Sequence, residues 1–191
     1  PIIKKKPKVK KILNKNVLDN FVVENKSLYS AVEQAKASVL YPPNGMNMLV
    51  LGETGVGKSM FVSLIHKYGI EMKKFIENSP LITFNCADYA NNPQLLLGQL
   101  FGCKKGAYTG ADSDNVGLIE KANEGILFLD EVHRLPSEGQ EMLFTFMDKG
   151  IYRRLGETEF ERKAKVLIVC ATTENPEKVL LKTFTRRIPM T

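Results

Sequence analysis

Residues 46–60 limit the possible fold more than any other part of the sequence. They read MNMLVLGETGVGKSM, in which an apolar run leads directly into a segment that fits G-x-x-x-x-G-K-[ST] at every fixed position. Glycines in such a segment let the backbone curl so that successive N–H groups point at a phosphate, and the following helix adds its positive N-terminus. Apolar residues recur at helical spacing after the segment, so a strand precedes it and a helix follows it. This context predicts a loop that binds the phosphates of a nucleoside triphosphate.

The residues of this phosphate loop have different predicted roles. Lys58 is expected to reach the β- and γ-phosphates, and the Ser59 hydroxyl is expected to ligate Mg²⁺. The other predicted nucleotide-binding residues of the loop are Gly52, Glu53, Thr54, Gly55, Val56 and Gly57.

Apolar strands and amphipathic helices alternate along the rest of the chain. Strands are predicted at residues 48–51, 81–86, 126–129 and 165–171, and helices at residues 25–41, 93–100, 116–123 and 136–149. Residues 101–115 are predicted to be irregular, and residues 151–155 and 159–162 to pair as a hairpin. Continuous apolar strands indicate a parallel sheet covered on both faces. The predicted fold is therefore a three-layer α/β domain that binds ligands at the carboxyl ends of its strands.

Composition and charge narrow the class of protein. The 43% hydrophobic and 25% charged residues are typical of a soluble globular protein, and no apolar run is long enough to span a bilayer. Three cysteines without metal-like spacing suit a cytoplasmic location. Six lysines lie among the first eleven residues and equal the whole net charge of +6, so the remainder is not a basic nucleic-acid-binding domain.

The sequence divides into two predicted parts. Residues 1–17 are expected to be a basic, flexible arm, either a linker to a further domain or, less favoured, a segment that contacts nucleic-acid phosphates. Residues 18–191 are expected to form the nucleotide-binding domain. Because the chain lacks an initiator Met and a signal-like segment, it is expected to be a piece of a longer protein.

Polar residues at the ends of the predicted strands supply candidate catalytic groups. Asp130 can hold Mg²⁺ through water, and Glu131 is placed to orient and deprotonate a water that attacks the γ-phosphorus. Asn85 could hydrogen-bond Glu131 and hold it away from that water. Thr172 and Thr173 could sense the γ-phosphate through their hydroxyls. Each of these sets has a purely structural alternative. Asp130 and Glu131 could be two acids at an ordinary strand exit, and Asn85 could be a polar strand end. Thr172 and Thr173 could be simple caps.

Two further segments carry functional predictions. Residues 102–111 (GCKKGAYTGA) form a glycine-rich loop of the kind that is usually functional, with an exposed-looking Tyr108 as the natural anchor for a partner. Arg186 and Arg187 could supply positive charge to a neighbouring subunit's site, or could be a solvated face. His66 and His133 have no partner at metal spacing and are expected to be packing or surface residues.

These motifs together resemble the AAA+ ATPase domain of bacterial activators of σ54 RNA polymerase. The resemblance rests on FNCADY, LFGCKKGAYTGA, GLIEKANEGILFLDE and the spacing to ATTEN, and it covers about residues 21–187. Within the family, NMLVLGETGVGKSMF and TFTRRIP look most like the levanase-operon regulators, which the sugar phosphotransferase system controls. The family's σ54-contacting loop corresponds to Gly106, Ala107, Tyr108, Thr109, Gly110 and Ala111.

The resemblance implies further properties of the full-length protein. Such domains form hexameric rings with ATP and Mg²⁺ at subunit interfaces, and hydrolysis drives the loop against σ54 to convert the closed promoter complex to an open one. DNA would be bound by a domain absent from this chain. By the same resemblance Asn85 is the switch asparagine, Glu131 the catalytic glutamate, Thr173 the sensor residue and Arg187 the second arginine finger.

The sequence departs from the family at three places. Tyr108 replaces the usual phenylalanine, and Leu181 stands where the first arginine finger would be, so Lys182 or Arg186 would have to substitute. The chain is also expected to stop before the helical lid, which predicts weak activity by itself. Another AAA+ remodeller such as an unfoldase, and a nucleotide-gated binding module without turnover, are the alternative functions.

Overall fold

The computed structural model describes residues 16–24, 26–186 and 188. The helices are α1 (Val17–Glu24), α2 (Tyr29–Leu40), α3 (Lys58–Glu71), α4 (Pro93–Phe101), α5 (Leu118–Lys121), α6 (Ser137–Lys149), α7 (Pro176–Val179) and α8 (Lys182–Thr185). The strands are β1 (Met48–Leu51), β2 (Leu81–Asn85), β3 (Gly102–Cys103), β4 (Asn115–Val116), β5 (Gly125–Asp130), β6 (Ile151–Tyr152), β7 (Arg162–Lys163) and β8 (Val166–Thr172). None of the helices in these described ranges is long and apolar enough to cross a membrane.

Four of the strands form a central parallel sheet in the order β1-β8-β5-β2. The strand that enters the phosphate loop is thus an edge strand, and β8 separates it from β5. Within this sheet, strands that follow one another in the sequence are joined by helices, as a parallel sheet requires. The predicted α/β fold with a parallel sheet is confirmed.

Side chains alternate between the two faces of the sheet and divide the core in two. Met48, Phe128 and Val169 pack with helices α1 to α3 on one face. Leu49, Leu127 and Ile168 pack with α4 to α6 and α8 on the other. Because both faces are covered, the central strands read as continuous apolar runs in the sequence. The three layers are those that the sequence predicts.

Most predicted helices and strands are present, with local differences. Helix α4 begins where predicted, since the Asn92 side chain accepts a hydrogen bond from the Leu95 N–H (3.1 Å) and Pro93 occupies the first turn. The hairpin of residues 151–162 pairs as the short ribbon β6–β7.

The structure differs from the predicted local structure in three places. Helix α1 was not predicted, although its apolar residues Leu18, Phe21 and Val22 recur at helical spacing, because eight residues are fewer than the window of about 11–18 over which such a pattern is judged. The residues predicted to be irregular begin and end with an antiparallel pair, β3–β4, which is too short to show a strand pattern. The sequence also predicts one apolar stripe along residues 25–41, and two of its members, Leu28 and Leu40, are 39% and 37% exposed. Apart from its last two residues, the predicted basic arm lies outside the described residues.

Candidate nucleotide-binding and catalytic site

The strand register brings the predicted site residues to one edge of the sheet. Leu51, the last residue before the phosphate loop, lies beside Thr172 of β8. Asp130 at the end of β5 lies beside Asn85 at the end of β2. All four strands are parallel, so their carboxyl ends open on the same side, where α/β folds bind ligands.

The phosphate loop has the backbone conformation that its glycines allow. Gly55 and Gly57 have φ angles of 83° and 94°, in the left-handed region that side chains other than glycine rarely adopt. Gly57 is also the residue from which α3 begins, so the loop ends at a helix N-terminus. This combination places backbone N–H groups and the positive end of α3 on the same side of the loop.

Lys58 is held over the phosphate loop. Its side chain is buried, and its ammonium donates to the carbonyls of Gly52 (2.9 Å) and Glu53 (3.2 Å). An ammonium has three donors and these two partners are neutral, so the full positive charge and one donor are available to a phosphate oxygen.

The acidic pair at the end of β5 has an unusual backbone. Glu131 has φ 50°, a left-handed conformation that is uncommon for a residue with a side chain and often marks functional sites. Its N–H donates to Asp130 Oδ1 (3.0 Å), and its Oε2 accepts a hydrogen bond from Thr173 Oγ1 (3.0 Å). The chain therefore turns sharply after Asp130 and directs the Glu131 carboxylate toward the end of β8.

His133 also lies at the strand ends, beside Thr172 and Glu131, where the sequence did not predict it. Its Nδ1 lies 2.9 Å from Thr172 Oγ1 and 3.3 Å from Glu131 Oε2. The sequence predicts a packing or surface role for His133 but not these contacts, which form because the turn after Glu131 brings it back to the strand ends. Only the three-dimensional arrangement reveals this, since Thr172 is 39 residues away in the sequence. His66 is a structural residue as predicted: its Nε2 contacts Ser79, and burial lowers its pKa.

Asn85 and Glu131 have other partners than each other. The Asn85 side chain accepts a hydrogen bond from the Ala87 N–H (3.0 Å) and donates to Asp88 (3.3 Å), which starts a 3-10 turn. The predicted bond between Asn85 and Glu131 is not formed, because the Asn85 amide is engaged by Ala87 and Asp88, and Glu131 accepts from Thr173 instead. Asn85 nevertheless lies at the edge of the site, because it is beside Asp130 in the strand register.

An apolar pocket beside the phosphate loop was also not foreseen. It forms where α1, α2 and the start of α3 meet the end of β1. Its lining residues are Phe21, Leu28, Ala31, Val50, Leu51, Val56, Gly57, Lys58, Met60 and Phe61. Since α1 contributes to it, the missed helix and the missed pocket have the same cause.

The glycine-rich loop extends from the β3–β4 ribbon, beside helix α4. It is closed by hydrogen bonds from the Gly106 N–H to the Ala111 carbonyl (2.8 Å) and from the Ala111 N–H to the Tyr108 carbonyl (3.0 Å). Asp114 ties its base through Lys104 Nζ (3.0 Å) and the Lys105 N–H (2.8 Å).

The tip of the loop is partly exposed: Gly106, Thr109 and Gly110 are exposed, whereas Ala107 is half-buried. Ala111 is buried and Tyr108 is half-buried. The expectation of an exposed Tyr108 is therefore wrong in this structure, because the ring folds back onto Gly98 of α4. Burial raises the pKa of the Tyr108 hydroxyl, and contact with Cys103 adds to the rise.

The predicted arginine fingers are only partly described. Arg186 is exposed at the end of α8, and Lys182 is exposed at its start. Leu181 is half-buried, and its N–H donates to Gln140 Oε1 (2.9 Å), so this position serves packing. Arg187 lies outside the described residues.

The cysteines near the site are not nucleophiles. Burial raises the pKa of the Cys86 thiol to about 12, and the Asp130 charge adds to the rise. Burial likewise raises the pKa of Cys170 well above its usual value. Both remain protonated thiols at neutral pH, so the reactive groups of this edge are its carboxylates, hydroxyls, imidazole and ammonium.

Comparison with known families identifies this arrangement. The model of the sigma-54 interaction domain matches residues 21–188, which is most of the chain and includes the phosphate loop, the acidic pair and the glycine-rich loop. The chain belongs to this family. The predicted resemblance to σ54 activators is confirmed.

This sigma-54 interaction domain is similar to parts of curated bacterial regulators. It is 59% identical over 179 residues to the transcriptional regulatory protein LevR of Bacillus subtilis, covering 94% of this chain and 19% of LevR. It is 49% identical over 164 residues to DagR of Salmonella typhimurium, covering 86% of this chain and 17% of DagR. The domain thus spans about a fifth of the length of these two regulators.

Solved structures share the fold of the domain. NtrX from Brucella abortus in complex with ADP is 24% identical with a TM-score of 0.65, covering 90% of this chain and 38% of NtrX. The same protein in complex with ATP has a TM-score of 0.63 at 24% identity, covering 90% of this chain and 39% of NtrX. At this identity the match shows the α/β fold of the sigma-54 interaction domain.

Proposed function

We propose that this chain is the ATP-hydrolysing domain of a σ54-dependent transcriptional activator, in which hydrolysis moves the loop of residues 106–111 to remodel the closed polymerase complex. The observation that carries the proposal is the convergence of Lys58, Asp130, Glu131 and Thr173 at one sheet edge. A phosphate-binding loop, a metal-binding acid and a base are the parts that phosphoryl transfer to water needs.

Two adjoining surfaces account for nucleotide binding. The phosphates fit the loop below Lys58, whose ammonium keeps one donor free. The base fits the apolar pocket lined by Phe21, Leu28 and Met60, because that pocket adjoins the same loop. The complexes of NtrX with ADP and ATP support nucleotide binding by a protein of this fold.

Mg²⁺ fits the residues present as a partner of the nucleotide. Within the described residues, no group of three or more histidine, cysteine, aspartate or glutamate side chains could hold a metal ion. Mg²⁺ commonly uses one or two protein oxygens and completes its shell with phosphates and water. The Ser59 hydroxyl and the Asp130 carboxylate would supply those oxygens. When bound, the ion would neutralise charge on the phosphates.

Glu131 is proposed as the general base. A carboxylate can accept the proton of a water that attacks the γ-phosphorus, and a positioned base contributes about 10²–10⁴ in rate. Asn85 is proposed as the residue that holds Glu131 in an inactive position when no triphosphate is bound, after a change of partner from Ala87 and Asp88. Thr172 and Thr173 are proposed as the γ-phosphate sensors, since their hydroxyls already contact the His133–Glu131 pair.

The proposed partners follow from the family. The loop of residues 106–111 is proposed to contact σ54 through Tyr108. A hexameric ring is proposed, with exposed Arg186, and Arg187 beside it in the sequence, reaching a neighbour's site. Residues 1–17 are proposed as a linker and residues 18–191 as the nucleotide-binding domain of a cytoplasmic protein. Control by the sugar phosphotransferase system is proposed from the resemblance to the levanase-operon regulators, and DNA binding is assigned to another domain.

Two variants of the full-length protein test the enzymatic part of the proposal. Lys58→Ala should abolish ATP binding, because no other described cation lies over the loop carbonyls. Glu131→Gln should bind ATP normally yet lose turnover by about 10²–10⁴ in rate. Binding by a fluorescent ATP analogue and phosphate release distinguish the two. Normal binding by the first variant, or normal turnover by the second, would contradict the proposal.

A further inference from the structure

The inference concerns the imidazole of His133, which contacts the proposed base. Its side chain is 9% exposed and that of Glu131 is 18% exposed, so the contact is shielded from bulk water. His133 Nδ1 lies 2.9 Å from Thr172 Oγ1 and 3.3 Å from Glu131 Oε2. The same Oε2 accepts the Thr173 hydroxyl at 3.0 Å.

The charge of Glu131 decides whether His133 Nδ1 donates or accepts in its hydrogen bond with Thr172 Oγ1. If Nδ1 carried no proton, its lone pair would face the carboxylate oxygen at 3.3 Å, and the two would repel. With a proton on Nδ1, the imidazole donates to Thr172 Oγ1, and the same N–H lies in favourable charge contact with Glu131 Oε2 at 3.3 Å. Thr172 Oγ1 already accepts the Glu174 N–H (3.1 Å) and has capacity for a second donor. The carboxylate therefore selects the tautomer that donates from Nδ1.

The result is a carboxylate with one oxygen fixed. Oε2 accepts the Thr173 hydroxyl and contacts His133 Nδ1, and these two residues lie on different elements. None of the hydrogen bonds that Glu131 makes to the described residues involves Oε1. A base held through one oxygen keeps the other available for the proton of water, in a defined orientation.

We propose that His133 is a positioning residue that orients Glu131 for water activation through the contact of its Nδ1–H with Oε2. This rests on the proposed function, because it requires Glu131 to be the base. A purely structural His133, which only ties the turn to Thr172, would affect stability but would not change turnover selectively.

The geometry of amide side chains provides a matched pair of variants. The side-chain nitrogen of Asn occupies nearly the position of His Nδ1, whereas that of Gln occupies nearly the position of Nε2. His133→Asn should therefore keep the donor to Oε2, and His133→Gln should lose it. His133→Ala removes the donor and the ring together.

The experiment measures kcat and KM for ATP in the full-length wild type and these three variants, with fluorescent ATP analogue binding and thermal unfolding as folding controls. His133→Ala and His133→Gln should lower kcat by about tenfold to a hundredfold, with KM within about twofold of wild type. His133→Asn should restore kcat to within about threefold of wild type.

Other outcomes would overturn the inference. Unchanged or increased kcat in His133→Ala, a loss expressed in KM, or no rescue by Asn in folded protein would each show that the Nδ1 donor does not orient the base. If the Ala variant does not fold, equal kcat values for the Asn and Gln variants would overturn it. Glu131→Gln separates the two levels: if it keeps wild-type turnover, the proposed function itself fails, whereas if it is inactive and His133→Ala is normal, only the role of His133 fails.

Discussion

The ring of Tyr108 lies against Gly98, and the contact depends on the missing side chain of that glycine. A Cβ placed on Gly98 would lie 2.9 Å from the Tyr108 hydroxyl oxygen and from its Cε1 atom. Gly98 is buried in the middle of α4, a helix that packs on the central sheet. The half-buried tyrosine at the loop tip is thus seated on a helix of the rigid core.

Gly98→Ala should unseat this ring. The new methyl group overlaps the far end of a side chain on a loop, so the ring moves while the helix stays, and the helix gains propensity worth about 1 kcal/mol. Nitration of Tyr108 by tetranitromethane, followed by mass spectrometry, should become severalfold faster. Tyr41, which is 54% exposed in wild type, provides an internal control whose rate should not change. An unchanged rate at Tyr108 would show that Gly98 does not seat the ring.

Leu28→Ala should weaken nucleotide binding without affecting the chemical step. Leu28 lines the apolar pocket beside the phosphate loop, and loss of its contact with the base should cost about 1 kcal/mol, or roughly fivefold in Kd for ATP. Leu40→Ala is the matched control, because Leu40 is equally exposed at 37% against 39% but does not line this pocket. Equal affinities for both variants would show that the base of the nucleotide does not bind in this pocket.

The stability of the domain should depend on His66 in mildly acidic solution. Burial lowers the pKa of His66 from its usual 6.5, and the contact with the Ser79 carbonyl (3.0 Å) opposes this only in part. The unfolded chain therefore binds a proton before the folded one does, and stability should fall as the pH drops from 7 through 6.5. The loss should end below the folded-state pKa.

His66→Gln tests this dependence. Its amide nitrogen keeps a donor for the Ser79 carbonyl but does not titrate, so the fall in stability between pH 7 and pH 5.5 should be smaller than in wild type. Urea midpoints of the 191-residue chain at several pH values provide the measurement. Identical slopes for the two proteins would assign the acid sensitivity to other groups.

The sequence predicted the sheet and the phosphate loop because their signals are local. The four apolar runs and the motif ending at Ser59 each depend on consecutive residues. Since parallel strands share one direction, placing Asp130 at a strand end was enough to bring it to the edge that holds Lys58.

What the sequence did not predict depends on contacts between distant segments. The contact of His133 with Thr172 spans 39 residues, and no spacing rule encodes it. The seat of Tyr108 is a glycine ten residues earlier in a helix, where glycine reads as a weak helix former. Asn85 at a strand end was correctly located, but its hydrogen-bond partners depend on the turn that follows it.

Capture of σ54 by the full-length protein tests the central claim most directly. Purified σ54 is mixed with the protein and ADP plus aluminium fluoride, a mimic of the hydrolysis transition state, and complexes are separated on a native gel. If ATP hydrolysis moves the loop against σ54, capture should require the mimic, persist in Tyr108→Phe and be lost in Tyr108→Ala. Capture without the mimic, or equal capture by Tyr108→Ala, would contradict the coupling of ATP hydrolysis to the loop.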